Sequence, residues 1–358
     1  MSEILNAPMT FCVVNYNGAR FIADTLAAIR SERRQDDELI VVDSASSDDS
    51  VRLINSLDFP VRLIELSTNR GPGVARNTGL REAEHNLILF VDNDVVLNDG
   101  CARLLAQALC EDAMALTVAP RVLYAADPAV VQYEGADCHF LGLMIPRHAN
   151  RAAANCGDQG VARNNSLVTA CFMIDRARWD DAEMFDDSFF FNYEDHDFGV
   201  RARVLGHRLL SVPSATALHG EGTKGLSYRP GAGFSRRRVY CLIRNRWQVI
   251  LKNYSLRTLL VLAPALFVYE ILQVGGVVRR GWLGLWFRAA WWNVTHLRRL
   301  IVRRRAIQTK RRTPDREILE GGALPFTVDL TRTRMDKAVV AFLNAVMSTY
   351  WRAARRLL

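Results

Sequence analysis

Three short runs, at residues 9–14, 39–42 and 87–91, are apolar at nearly every position and rich in β-formers, and a further strand is expected over 61–66, where Arg62 and Glu65 interrupt the apolar residues. Between them the apolar residues fall at helical spacing. Phe21, Ile22, Leu26 and Ile29 mark one face, Val51 and Ile54 follow the capping stretch Ser46-Ser47-Asp48-Asp49, and a third helix is expected over 74–84. A strand with no polar side is covered on both faces, so strand–helix alternation at this spacing predicts a mostly parallel sheet between layers of helices. Ligands of such sheets bind beyond the carboxyl ends of the strands. Asn15-Tyr16-Asn17, Asp43 and Asp92-Asn93-Asp94 all stand at those ends.

Asp92-Asn93-Asp94 is one of two acidic clusters. The other, about a hundred residues on, is Asn192-Tyr193-Glu194-Asp195-His196-Asp197, preceded by Phe189-Phe190-Phe191. Burying an unpaired carboxylate costs several kcal/mol, roughly, so stability does not explain carboxylates at the end of a buried strand. Holding a cation or moving a proton does, and together the clusters suggest a metal-assisted transfer from a phosphorylated donor to an acceptor. Mg²⁺ and Mn²⁺ take oxygen ligands and share them between one or two carboxylates and substrate phosphates. Asp94 is the expected direct ligand, with Asp92 near the ribose or behind the metal. Asp195 is the candidate general base. Glu194 orients the acceptor or takes the proton itself, and the sequence leaves that choice open. Asn15, Asn17, Asn93, Asp43 and Arg76 are the candidate donor contacts, Asp43 for the N3–H of a uracil or thymine. The plainer readings are an Asp/Asn turn, a charged helix start, a turn cap at Asp43 and a solvated helix charge at Arg76. Gly71-Pro72-Gly73 lacks the third glycine of a dinucleotide fingerprint and does not follow the first strand, which disfavours a nicotinamide enzyme.

The net charge of +8 is unevenly spread: between Arg279 and Arg312 there are eleven Arg or Lys and no Asp or Glu. Trp282, Trp286, Phe287, Trp291 and Trp292 interleave with these cations, a pattern suited to the interface of an anionic membrane. The apolar stretch 258–278 is membrane-length but carries Pro264, Glu270 and Gln273, and a single crossing would put the positive block on the far side. Helices lying on the cytoplasmic leaflet through residues 256–312, or a re-entrant pair, are therefore expected, as a peripheral or monotopic attachment. The plainer reading is a helical subdomain packed on the rest or on a second copy. No nucleic-acid module precedes the basic block, and homo-oligomerisation is left open. Seven scattered cysteines without ligand spacing disfavour disulfides and structural zinc. No signal peptide is read at the N-terminus. A strand is expected over 166–174 and a mobile loop over 220–233.

Val13-Val14-Asn15-Tyr16-Asn17, Val41-Val42-Asp43-Ser44-Ala45-Ser46-Ser47-Asp48, the stretch Asn69 to Gly79 and Asp92-Asn93-Asp94, in this order, resemble the inverting nucleotide-sugar glycosyltransferases of family 2, which have the GT-A fold. Residues 189–201 and 206–219 look like that family's acceptor-side motif and the segment after it, so the resemblance covers roughly 9–250. In detail it looks most similar to bacterial rhamnosyltransferase-like enzymes of surface polysaccharide assembly. One departure is Glu183-Met184-Phe185-Asp186-Asp187, where the family often has two glycines. The resemblance implies a GT-A catalytic domain over 1–235, with a nucleotide-sugar half (1–100) and an acceptor half (101–235), and a helical region over 236–358. It implies Mn²⁺ or Mg²⁺, with His219 completing the metal shell. It also implies a dTDP- or UDP-sugar donor, dTDP-rhamnose among them, and a saccharide or lipid-linked acceptor at the cytoplasmic face of the inner membrane. The alternatives are a nucleotidyltransferase, which needs a triphosphate loop where Asn15-Tyr16-Asn17-Gly18 stands, and a non-catalytic nucleotide-binding membrane scaffold.

Overall fold

A computed structural model describes residues 7–157, 160–180, 183–220, 222, 235–324 and 334–358. The N-terminal residues up to Asn6 and all of the expected 220–233 loop except Gly220 and Gly222 lie outside that set. The alternation holds: β1 (Met9–Asn15), α1 (Ile22–Glu32), β2 (Glu38–Asp43), α2 (Ser50–Asn55), β3 (Arg62–Glu65), α3 (Pro72–Glu82) and β4 (Leu87–Asp92) follow in order. Then come β5 (Val95–Leu97), α4 (Cys101–Glu111), β6 (Ala115–Tyr124), β7 (Asp127–Tyr133), β8 (Ala136–His139), β9 (Leu143–Pro146), β10 (Ala162–Asn164), β11 (Cys171–Asp175), α5 (Glu194–Val204) and β12 (Arg208–His219). The sheet runs β10-β12-β6-β11-β4-β1-β2-β3, with β5 on β12 and β7 on β6. Strands β4, β1, β2 and β3 are parallel, and β11 enters antiparallel beside β4.

Successive residues of each central strand feed opposite layers. Phe11, Val13, Leu39, Val41, Leu89 and Val91 pack with Ile22, Leu26 and Ile29 of α1 and with α4. Cys12, Val14, Ile40, Val42, Ile88 and Phe90 pack with Ala75 and Leu80 of α3 and with Phe198 and Ala202 of α5. Each fully buried side chain of this kind contributes about 1.5–3 kcal/mol. Two expected boundaries move. Helix α3 starts at Pro72, whose fixed φ suits a first helical position. The strand expected over 166–174 begins only at Cys171, because Ser166 spends its backbone N–H on Ala136 and its hydroxyl on His196.

Beyond the sheet the chain is helical: α6 (Arg236–Asn253), α7 (Leu256–Arg279), α8 (Leu283–Thr295), α9 (Leu297–Thr309) and, after the two-residue strand β13 (Leu319–Glu320), α10 (Arg334–Ala354). A third core joins these helices to the β8–β9 ribbon: Phe140, Leu141, Val249, Ile250, Leu262 and Trp351 are buried together, and the Phe140 and Trp351 rings stack at 5.0 Å. Helix α7 runs unbroken through Pro264 and is long and apolar enough to cross a membrane, by length and composition alone. Its one acid is satisfied by protein: Glu270 accepts from Arg246, Trp247 and Trp286.

Candidate active site

Parallel register brings three polar strand ends side by side, pairing Asn15 with Asp43 and Val14 with Asp92. Asn15 Nδ2 donates to Asp43 Oδ1 at 2.6 Å and to Ser50 Oγ at 3.0 Å, while Asn93 Nδ2 donates to Asn15 Oδ1 at 2.7 Å. Gly18 makes this possible, since a Cβ there would stand 2.2 Å from Asn93 Nδ2. Asp43 is buried and also accepts from the Ser46 hydroxyl (2.6 Å) and amide (2.8 Å), so it is the hub of the turn. The exposed Asn17 holds the same turn through its amide, which donates to Ser46 Oγ, and its side-chain oxygen, which accepts from Ser47 N–H.

Arg76 is not a solvated helix charge. It is 2% exposed and donates to Asp92 Oδ1 at 2.6 Å and to the Thr169 carbonyl at 3.0 Å. Burial raises the Asp92 carboxyl, and the Arg76 charge partly offsets it. Arg76 also lies within electrostatic reach of Glu194 and Asp195, which ties the donor-side strand ends to the second acidic cluster. Asp94 is buried and accepts from the Gly222 amide at 2.6 Å. The three-residue β5 pairs with β12 so that Val95 faces His219, which brings His219 Nε2 to 3.3 Å from Asp94 Oδ1. Gln132, from β7, contacts the other ring nitrogen at 2.6 Å and fixes the ring.

The second cluster opens α5. Its carboxylates occupy a helix N-terminus, where the dipole favours anions, yet they are not equivalent. Asp197 is buried and committed to Lys252 (3.0 Å) and Asn253 (2.9 Å). Glu194 is buried, and its Oε2 has no hydrogen-bond partner. Asp195 is half-buried and accepts from the His196 amide at 2.7 Å. Burial drives both Glu194 and Asp195 above the ordinary carboxylate range, and the Asp195 charge pushes Glu194 further. Nε and Nη1 of Arg76 are also buried without partners, so this corner holds unspent donors and acceptors together.

The loop before α5 is strained, with Phe190, Asn192 and Tyr193 at φ of 61°, 60° and 70°. Two neighbours hold it. The Asn245 side-chain amide reaches the carbonyls of Phe189, Phe191 and Asn192, and Arg244 donates to those of Ser188 and Phe189. On the other side Gly71, at φ 94°, lets the Phe190 carbonyl come where a Cβ would be 1.8 Å away. Asp186, in the segment that departs from the family pattern, is buried. Burial pushes its carboxyl up, but Lys252 at 2.8 Å outweighs this and holds it well below the usual range. Sequence reasoning missed Asn245, Lys252 and Gln132; polar residues at apolar spacing in α6 were the only signal for the first two, and nothing in β7 marked Gln132.

Among the described residues no three carboxylate, imidazole or thiol groups converge on one point. Asp94 and His219 do converge, at the strand ends. Two protein ligands fit a divalent cation that takes its remaining oxygens from a substrate diphosphate and water.

Residues 10–154 match glycosyl transferase family 2. A glycosyltransferase of Haemophilus influenzae is 33% identical over 100 residues, covering 26% of this chain and 40% of that protein. The succinoglycan biosynthesis protein ExoO of Rhizobium meliloti is 36% identical over 102 residues, 28% of this chain and 29% of its own. The chain thus spans well under half of these curated relatives. Among solved structures, S. aureus TarS 1-349 in complex with UDP-GlcNAc has a TM-score of 0.52 at 14% identity, covering 98% of this chain and 91% of that one. GalNAc-T7 with UDP, GalNAc and Mn²⁺ has a TM-score of 0.54 at 13% identity, covering 68% and 48%. At these identities the likeness is one of fold.

Proposed function

On the premise that residues 10–154 form a glycosyl transferase family 2 domain, we propose that the protein is an inverting glycosyltransferase. It moves a sugar from a nucleotide diphosphate donor to a saccharide on a lipid carrier, in cell-surface polysaccharide synthesis. The observation that carries this reading is Arg76, which links Asp92 on the donor side to Glu194 and Asp195 on the acceptor side. The nucleotide lies over the Asn15–Asp43–Asn93 floor, and Asp94 and His219 would hold Mn²⁺ or Mg²⁺, which when bound would supply Lewis-acid stabilisation of the leaving diphosphate. Asp195, the more open carboxylate, takes the acceptor hydroxyl's proton as the oxygen attacks the anomeric carbon and the bond to the diphosphate breaks. Glu194, buried and raised in pKa, stays protonated and donates a hydrogen bond to the acceptor. A nucleotidyltransferase is disfavoured, because Asn15 and Asn17 are tied into the turn where a triphosphate cradle would be.

A panel of nucleoside diphosphates with Mn²⁺ or Mg²⁺ tests the donor site by thermal stabilisation. UDP or dTDP is expected to stabilise the wild type, with the effect removed by EDTA and absent in Asp94→Ala. A flat response across the panel, or an EDTA-insensitive one retained in Asp94→Ala, sinks the assignment.

The same reading places the protein on the membrane through residues 256–312. Leu260, Phe267 and Ile271 of α7, Phe287 and Trp291 of α8 and Val302 of α9 are all exposed, beside the exposed cations Arg279, Arg280, Arg298 and Arg305. Apolar side chains with a cationic rim fit an anionic leaflet. Co-sedimentation with phosphatidylglycerol vesicles at low salt is expected, with little on phosphatidylcholine. Equal recovery in both supernatants removes the membrane assignment.

A further inference from the structure

Outside the carboxylate site, a cavity of about 500 Å³ lies between α6 and α8. Phe190, Arg236, Arg237, Tyr240, Arg244 and Arg288 line it, with no carboxylate among its lining residues. Four arginine side chains line this one space with no carboxylate beside them, and their like charges favour an anion that joins them. Aromatic faces hold three of them: Arg237 lies over the Phe190 ring at 4.1 Å, Arg288 over Tyr240 at 5.0 Å and Arg244 over Trp292 at 4.7 Å. Guanidinium is the side chain best matched to phosphate oxygens, and stacking pre-pays part of the ordering cost.

The position of the cavity narrows the ligand. One wall is Phe190, in the loop that ends at Glu194 and Asp195. The Cys241 thiol in the same wall is pushed up, chiefly by burial. The opposite wall is α8, whose neighbouring side chains Phe287 and Trp291 are exposed and apolar. No residue of β1, β2 or β4 contributes, so the cavity is separate from the strand ends assigned to the donor diphosphate. We infer that this cavity binds the phosphate or diphosphate joining the acceptor sugar to its hydrocarbon carrier. The sugar then points toward Asp195 and the chain runs out along the exposed face of α8. This inference rests on the transferase reading above.

Farnesyl diphosphate is the probe, with farnesol and inorganic pyrophosphate as controls, titrated into the full chain by calorimetry. Farnesyl diphosphate is expected to bind more tightly than either control. Its affinity should fall at least about tenfold in the Arg236→Gln/Arg237→Gln/Arg288→Gln variant, and measurably in Arg288→Gln alone, which leaves the 188–193 loop contacts in place. Arg244 is kept because it holds that loop. Farnesol binding as tightly would reduce the site to apolar adhesion, and pyrophosphate binding as tightly would make it a free-anion site; either overturns the inference. So does unchanged affinity in both variants. Stabilisation by UDP or dTDP with Mn²⁺, read on the same samples, separates the two claims. If nucleotide stabilises and farnesyl diphosphate does not bind, only the cavity assignment fails; if no nucleotide stabilises, the transferase reading fails first.

Discussion

Asp195→Asn is expected to lower sugar transfer by about 10²–10⁴-fold, the usual worth of a positioned general base, while the thermal midpoint and nucleotide stabilisation stay near wild type. The exchange removes a proton acceptor and almost no volume, and the His196 amide keeps an oxygen to bond. Binding is expected to be spared because the proposed donor contacts lie on the strand ends of β1, β2 and β4. The pH profile gives an independent reading. A base works deprotonated, so the rate rises with pH through its pKa and then levels. Because burial raises the Asp195 carboxyl, the acid limb should lie well above the value of about 3.9 for a solvated aspartate. Glu194→Gln is the partner measurement. If Glu194 serves only as a protonated donor, the amide can still donate, and the loss should be much smaller than for Asp195→Asn. Near-normal turnover in Asp195→Asn with collapse in Glu194→Gln would exchange the two roles.

The donor side of this site was legible in the sequence because its cause is local. Fully apolar strands end in polar residues, and parallel register then has few ways to avoid gathering Asn15, Asp43 and Asp92 on one edge. The Asp94–His219 approach was foreseen only through family resemblance. Its physical cause is β5, three residues long and too short to show a pattern of its own. Arg76 could be read as a solvated helix charge because nothing in α3 reveals that its guanidinium runs under the sheet edge to Asp92. Least legible was what holds the carboxylates at the start of α5. Asn245 and Lys252 lie about fifty residues beyond the loop and helix they secure, and they look like ordinary polar residues of a basic helix until tertiary contact gives them partners.

Lys252 is where that hidden support carries most weight. Its ammonium is 1% exposed and sits between two buried carboxylates, Asp186 at 2.8 Å and Asp197 at 3.0 Å, over the Phe189 ring at 4.5 Å. Lys252→Met keeps most of the stem and removes the charge. Arg299 still reaches Asp186 at 2.9 Å, but Asp197 is left with Asn253 alone. Removing one partner of a buried ionic group costs about 3–5 kcal/mol, because the remaining charge stays desolvated. That loss is expected at pH 7 in urea unfolding. The sign of its pH dependence follows from Asp186, whose folded-state pKa is depressed. A depressed carboxyl contributes stability above its unfolded pKa of about 3.9 and loses it as pH falls toward the folded value. The gap between wild type and Lys252→Met should therefore be full at neutral pH and narrow below about pH 4, where the wild type itself loses the contribution. A gap under about 1 kcal/mol at pH 7, within the range of an exposed pair, would mean that Lys252 is not what anchors the start of α5. If the gap is large, transfer should fall further than the unfolded fraction explains, since Asp197 and Asp195 share the first turn of one helix and releasing one tilts the other.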